Sequence, residues 1–380
     1  MPAAADASRG SREPRSVFAA LVVGGCLTWN ITNVGAIADP LAAHYGVSLA
    51  PIGLLTTALF VTHFLVQLPA GRAADRFGSR SVALVASACA LVGNGLLLLD
   101  DAGFALALAA RALVGIGSGA GFVAGLDLVR AGGGGPVAQG LYGGATMAGG
   151  GLALMIVPSL TDTSGWRAAF WTAALLALLA GASAAWAGAS QRVAHAKTWI
   201  LWDRALAPVG ALQAASFGLA VVAGNWAVPL LERRDVASSA AGLASGLILF
   251  AGIATRPVGG VLATHARSRA LVGTSLVGIA VGAGLLAVDA PYAVAALGSF
   301  LLGVSTGFPF AAIFAAAQRA RPETPGAAIA FVNSFGVLTI LVGTPLAGLA
   351  FDLPGEGALA FACIAALAAA SLLALRRAPL

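Results

Sequence analysis

The sequence predicts an all-α membrane protein in which twelve transmembrane helices form two pseudo-symmetric six-helix bundles. Three observations carry this reading. Of 380 residues, 59% are hydrophobic and only 9% charged, whereas soluble domains carry about 25% charged residues. A chain of this size cannot cover a water-facing surface with so few charges, so its solvent is the lipid bilayer. Apolar stretches long enough to cross a bilayer core as a helix, about 20 residues, occur twelve times. Finally, one pattern recurs. Gln67-Leu68-Pro69-Ala70-Gly71 and Arg256-Pro257-Val258-Gly259-Gly260 each follow a long apolar stretch and precede a basic turn, placing Gln67 on Arg256 and Gly71 on Gly260 at a spacing of 189. A membrane chain with a duplicated half is typically a carrier whose halves rock about a central site.

In chain order the apolar stretches run 16–39, 49–71, 81–99, 104–127, 137–158, 167–189, 207–229, 240–263, 270–288, 292–317, 327–349 and 357–375. A polar tail (1–15) precedes them. The first stretch is too long for a leader core and runs on into further spans, so it reads as retained. The longest connection, 190–206, reads as the inter-bundle linker, and its Trp199 and Trp202 suit an amphipathic helix at the interface. The bundles are therefore 16–189 and 207–375, with 376–380 as a second tail. The repeat extends further: Gly115 and Gly119 of the fourth span map onto Gly303 and Gly307 of the tenth at an offset of 188, and Pro40 maps onto Pro229 at 189. Fifty glycines suit helices that pack closely in lipid.

Lys and Arg distribution orients the chain. With the N-terminus cytoplasmic, sixteen cationic residues lie on the cytoplasmic side, and three (Arg167, Arg233, Arg234) on the other. Both termini are then expected in the cytoplasm, in a bacterial-type inner membrane. Arg111 and Arg256 remain inside spans. The net charge of +6 comes from singly scattered arginines with no interleaved aromatics, which excludes a nucleic-acid surface. Cys26, Cys89 and Cys363 lie inside apolar runs and read as small core residues. No HExxH, CxxC or Walker-type loop is present, and His44, His63, His195 and His265 lie far apart. The expectation is no enzyme, no cofactor and no metal, with energy drawn from an ion gradient, exchange or the substrate's own gradient.

Gly71-Arg72-Ala73-Ala74-Asp75-Arg76-Phe77-Gly78-Ser79-Arg80 closely resembles the signature loop between spans two and three of the major facilitator superfamily. Arg111-Ala112-Leu113-Val114-Gly115-Ile116-Gly117 is similar to its fourth-span motif. The resemblance implies the major facilitator fold, alternating access, a cavity lined by spans one, four, seven and ten, and a monomer. Arg256-Pro257-Val258-Gly259-Gly260 is most similar to the eighth-span segment of nitrate/nitrite porters, cyanate-permease-like and oxalate/formate-type carriers, some of which face a substrate anion with this arginine. Nitrate porters also use a second-span arginine where this chain has Gln67, a departure that speaks against nitrate. Their glycine/asparagine-rich fifth- and eleventh-span signatures are echoed only faintly, by Gly149-Gly150-Gly151 and Asn333. The fifth-span motif of drug/proton antiporters is poorly matched, since Pro158 sits seven residues after Gly151.

Arg256 lies eight residues before Thr264, the counterpart of Asp75, hence about 12 Å into the membrane. A charge at that depth faces a wet cavity or a partner. One reading makes it the ligand of a substrate anion through its planar fork of donors; the other pairs it with carbonyls near the cytoplasmic gate. His63 and Gln67, at i and i+4, share the face that corresponds to Arg256. His63 is either a carrier of a coupling proton or a neutral histidine bonded to a neighbouring helix. Arg111 either pairs with Asp39 or lines the cavity. Trp29, Asn30, Asn33, Asn225, Trp226, Phe308, Phe310 and Asn333 are further candidates for substrate contact, each weighed against plain helix packing. Asp75, with Gly71, Arg76, Gly78 and Arg80, is expected to latch the bundles on the cytoplasmic face; the second half carries Thr264 instead, so the latch is one-sided. Asp127 is expected to join Arg72, Arg76 or Arg130.

The sequence thus points to a secondary active transporter of a small organic or inorganic anion, working by proton coupling or exchange. The alternatives are a multidrug/proton antiporter that exports bulky compounds, against which the scarcity of mid-span acids argues, and a non-transporting receptor or channel.

Overall fold

The computed structural model describes residues 13–47, 49–99, 103–188, 202–265 and 268–380. The spans are α1 (Pro14–Thr28), α2 (Leu49–Phe77), α3 (Ser79–Leu96), α4 (Phe104–Ala131), α5 (Pro136–Ser164) and α6 (Ala168–Trp186) in the first bundle. The second bundle holds α7 (Ala207–Glu232), α8 (Ser238–His265), α9 (Ser268–Ala287), α10 (Tyr292–Ala320), α11 (Pro325–Leu349) and α12 (Ala358–Leu375). Eleven of the described helices are long and apolar enough to cross a membrane. The twelfth span, α1, is shorter because its helix breaks.

That break departs from the uninterrupted first span expected over 16–39. After Thr28 the chain passes through two 3₁₀ turns, Trp29–Ile31 and Gly35–Ile37, and ends in a short helix, Ala38–Tyr45. Two further spans are irregular. A π turn, Ala214–Gly218, interrupts α7, and α10 is divided between Gly307 and Phe310, around Pro309. Proline at that point removes a backbone donor and re-aims the helix.

The two halves use their matched glycines alike. A side chain on Gly115 of α4 would strike Leu59 O and Thr62 of α2, and one on Gly303 of α10 would strike Leu247 O and Ile248 of α8. Gly71 of α2 lies against Gly326 and Ala330 at the start of α11, while Gly260 of α8 lies against Pro136 and Val137 at the start of α5. The first pair builds each bundle, and the second closes one bundle on the other. The most deeply buried spans, α4 and α10, are also repeat counterparts. Of the expected linker, 190–201 lies outside the described residues, Trp199 included. Trp202 is exposed and meets Phe331 edge-on. Asp203 receives the N–H groups of Ala205 and Leu206 (2.8 and 3.2 Å) before α7 and pairs with Arg321 at 2.7 Å.

Candidate functional site

The seam between the bundles is formed by α2 against α11 and by α8 against α5. Polar side chains cross it in a ladder. At the signature-loop end, Gly78 turns the chain out of α2 with φ of 87°, a left-handed value that favours glycine. One turn earlier, Asp75 reaches the other bundle: the N–H groups of Gly326 and Ala327 donate to its Oδ1 and Oδ2 at 2.8 and 2.9 Å. These are orphan donors in the first turn of α11, where the helix dipole favours an anion. Thr264, its repeat counterpart, is exposed and its hydroxyl donates to Val261 O in its own helix. Asp127 bonds Arg130 at 2.7 Å. Arg76 rests on the Phe77 ring at 5.1 Å, and Arg80 donates to Ala185 O at 2.6 Å.

The latch carries its own test. Asp75→Asn keeps the shape and removes the charge, and a charge-assisted bond is worth about 1.5–3 kcal/mol. The closed loop face should therefore lose about tenfold in population. With Cys26, Cys89 and Cys363 replaced, a cysteine at Ala330, which packs against Gly71, should react correspondingly faster with a water-soluble maleimide. An unchanged rate contradicts the latch.

Two rungs lie deeper, and they occupy repeat-related positions. On one side, Asn333 Nδ2 of α11 donates to Gln67 Oε1 of α2 at 3.2 Å, while Gln213 Nε2 of α7 donates to Asn333 Oδ1 at 3.5 Å. On the other, Arg256 Nη1 of α8 donates to Gly143 O (2.8 Å) and Thr146 Oγ1 (3.2 Å) of α5. Arg256 is 3% exposed. Its guanidinium lies 4.4 Å from the Phe310 ring centroid and 5.5 Å from that of Phe217. The break in α10 begins its lower half at Phe310, and the π turn of α7 contains Phe217. Arg256 Nε is buried without a partner, and no carboxylate of the described residues pairs with Arg256. Beside it lies a cavity of about 10 Å³ bounded by Met147, Phe217, Ile248, Gly252 and Thr306, barely the space of one water. The arginine is buried in this form.

His63 stands one turn from Gln67 on α2 and is buried. Its Nδ1 and Ser118 Oγ of α4 are 2.9 Å apart. Ser118 Oγ also lies 3.2 Å from Gly115 O, so the hydroxyl bridges His63 and its own helix. Of the two sequence expectations, bonding to a neighbouring helix is the arrangement found.

Arg111 does not reach the seam. It is fully buried inside the first bundle, and its guanidinium donates to Asn30 O at 2.8 Å and to Asn33 Oδ1 and Leu55 O at 3.4 Å. Asn30 O belongs to the broken segment of α1, so the arginine satisfies a backbone carbonyl that the helix no longer serves. Asn94 Nδ2 donates to Asn30 Oδ1 (2.8 Å), and Asn33 Nδ2 to Ala169 O (3.0 Å). Asn30 and Asn33, expected near the substrate, are thus engaged in holding α1. The side chain of Asp39, the expected partner of Arg111, lies outside the described ones. Trp29 packs in the core of the same bundle. Trp226 Nε1 donates to Thr344 O at 2.9 Å and its ring meets Phe351, while the exposed Asn225 donates to Thr344 Oγ1 at 3.3 Å. Phe308 is half-buried with its backbone against Gly259, leaving Phe310 to face the arginine. Gly143, Thr146 and Phe217 were not among the candidates. Small residues in an apolar run and a phenylalanine before a π turn give no local signal.

The architecture matches known proteins. The family description "Major Facilitator Superfamily" matches residues 19–198, the first bundle. The crystal structure of the human organic anion transporter MFSD10 (TETRAN) superposes with a TM-score of 0.78 at 17% identity, covering 96% of this chain and all of that one. That of a variant of the E. coli fucose:proton symporter FucP superposes at 0.71 and 13% identity, covering 95% and 98%. The fold is that of the major facilitator superfamily. No curated protein matches the sequence significantly. The family match spans the first bundle, and the shared fold extends over nearly the whole chain.

Proposed function

We propose that this chain is a secondary active transporter of a small organic or inorganic anion, working by alternating access, with Arg256 as the main anion ligand. The single observation that carries this reading is a guanidinium buried in the seam with no carboxylate paired to it among the described residues. Leaving a buried charge unneutralised is costly, and two aromatic faces with one carbonyl and one hydroxyl compensate only part of it. An entering anion completes the pairing through the donors of a planar fork. Arg256 belongs to one bundle and its partners Gly143 and Thr146 to the other, so occupancy by an anion competes with closure of the seam. That competition is the link between binding and rocking.

In this reading the bundles 16–189 and 207–375 rock about the Gln67–Asn333 and Arg256–Gly143 rungs, with His63 available to carry a coupling proton. The excess of cationic residues on the signature-loop face supports a cytoplasmic position for that face and both termini, in an inner membrane. The relative described as an organic anion transporter is consistent with the substrate class.

A thermal-shift screen of the purified chain tests the class, because a ligand of the folded state raises apparent stability by mass action, about 2.7 kcal/mol at one hundred times Kd. Small carboxylates, nitrate, nitrite and cyanate are the panel, with cationic dyes as the opposing set. The expected result is stabilisation by members of the anion panel and none by the dyes. Stabilisation by the dyes alone returns the chain to the drug/proton antiporter reading.

A further inference from the structure

The seam ends, on the signature-loop face, in a separate cavity of about 350 Å³. Its lining comes from both bundles: Arg130 and Pro136 from the first, and Gln318, Arg319, Pro322 and Pro325 from the second. We infer that this vestibule is a second anion site, where the substrate anion of the proposed transport cycle is held by Arg319, Arg130 and the Gln318 amide before it crosses the gate or after it leaves.

Three observations meet here. First, the charge is positive and only partly spent. Arg319 is exposed and forms no ion pair among the described residues, whereas Arg321 is paired with Asp203 and Arg130 gives its Nε to Asp127. Each guanidinium carries five N–H donors, so Arg130 keeps donors in excess of that bond. Second, Gln318 is 8% exposed and makes one side-chain bond, from Gln139 Nε2 to its Oε1 at 2.6 Å, while its own Nε2 is buried without a partner. A buried amide with an unused donor costs free energy unless something accepts from it. When the Gln139–Gln318 pair opens, that donor is free to serve an anion. Third, the vestibule connects to Arg256 along one face of the lower half of α10, at four-residue intervals: Gln318, then Phe314, then Phe310. Phe314 contacts Phe310 at 4.9 Å, and Phe310 covers the Arg256 guanidinium. On the opposite wall, Gln139 stands one turn from Gly143, the carbonyl that Arg256 holds. The Gln139–Gln318 bond and the two phenylalanine rings are therefore the barrier between a cationic vestibule and a cationic centre. The neighbouring carboxylates are Asp127, which is buried on Arg130, Asp75, which is buried on the Gly326 and Ala327 N–H groups and interacts with Arg130, Asp203, which is spent on Arg321, and Glu323, which is exposed on the connecting turn.

This inference rests on the anion-transport reading, and its test separates the two. The full chain is placed in phosphatidylcholine nanodiscs, and its thermal unfolding is followed with sodium oxalate against sodium chloride at equal ionic strength. Arg256→Gln removes the central ligand. The inference predicts that oxalate still stabilises this variant and that adding Arg319→Gln weakens the apparent affinity by about tenfold, as expected for loss of a charge-assisted donor. If Arg256→Gln does not fold, wild type and Arg319→Gln in proteoliposomes give the same discrimination. The KM for oxalate presented on the vestibule side should rise about tenfold, with the KM from the opposite side unchanged. Loss of all oxalate stabilisation in Arg256→Gln alone overturns the vestibule and leaves the central site standing. An affinity in the double variant equal to that of Arg256→Gln, a KM that changes equally on both sides in Arg319→Gln, or no oxalate effect in any protein each overturn it as well.

Discussion

Arg256→Ala is expected to reduce anion transport by about 100-fold or more. Two charge-assisted bonds to an anion are worth together about 3–5 kcal/mol, and every 1.4 kcal/mol is tenfold in affinity. The loss should appear as raised KM and, once binding no longer competes with seam closure, as lowered turnover. Arg256→Lys keeps the charge as a point on a flexible stem without the fork, so it should retain partial transport, about tenfold below wild type. The same arginine also ties α8 to α5, so a separate variant must isolate that role. Thr146→Val removes one of these contacts, which compete with anion binding, and leaves the guanidinium intact, so KM should not rise. Normal anion uptake by Arg256→Ala and Arg256→Lys alike removes Arg256 as the ligand, and an equally deep loss in Thr146→Val makes it a gate residue.

The second large effect is on the fold. Arg111→Met should destabilise the first bundle by about 3–5 kcal/mol, because each buried acceptor left without a donor costs about 1–3 kcal/mol. It strands Asn30 O, Asn33 Oδ1 and Leu55 O, all buried. Fluorescence-detected size exclusion after a heating series should show loss of monodisperse protein at markedly lower temperature. Arg111→Lys can reach only part of the acceptor set and should fall between. If Arg111→Met is as stable as wild type and lacks transport, Arg111 is a substrate ligand and the α1 clamp is wrong.

The contrast between these two arginines shows what the sequence could convey. Both sit in apolar spans, and the residue pattern assigned each a functional and a structural reading. The repeat register puts Arg256 on the face of α8 that meets the other bundle, because Gly260 packs there as its counterpart Gly71 does on α2, and that placement depends only on matched spacing. The role of Arg111 was not legible. Its acceptors are mainly backbone carbonyls, which carry no residue signature, and they become available because α1 breaks after Thr28. An apolar run has the same hydropathy whether its helix is continuous or broken, so the expected 16–39 span gave no warning. Phe217 and Thr146 were hidden for a related reason: a π turn shifts a face by a fraction of a turn, and contacts more than one hundred residues away appear only when the bundles are assembled. That Asp75 reaches the other bundle was legible because a carboxylate near a glycine turn and arginines is a local pattern, although its partners, the N–H groups of Gly326 and Ala327, were not.

The central claim, that the buried guanidinium is what an anion binds, is met most directly by equilibrium binding of a radiolabelled anion from the panel that stabilises the wild-type chain. The measurement is made on purified wild type and on Arg256→Lys of equal thermal stability. The account predicts one saturable site competed by related anions, with Kd raised about tenfold in the lysine variant. Indistinguishable Kd values for the two proteins contradict it.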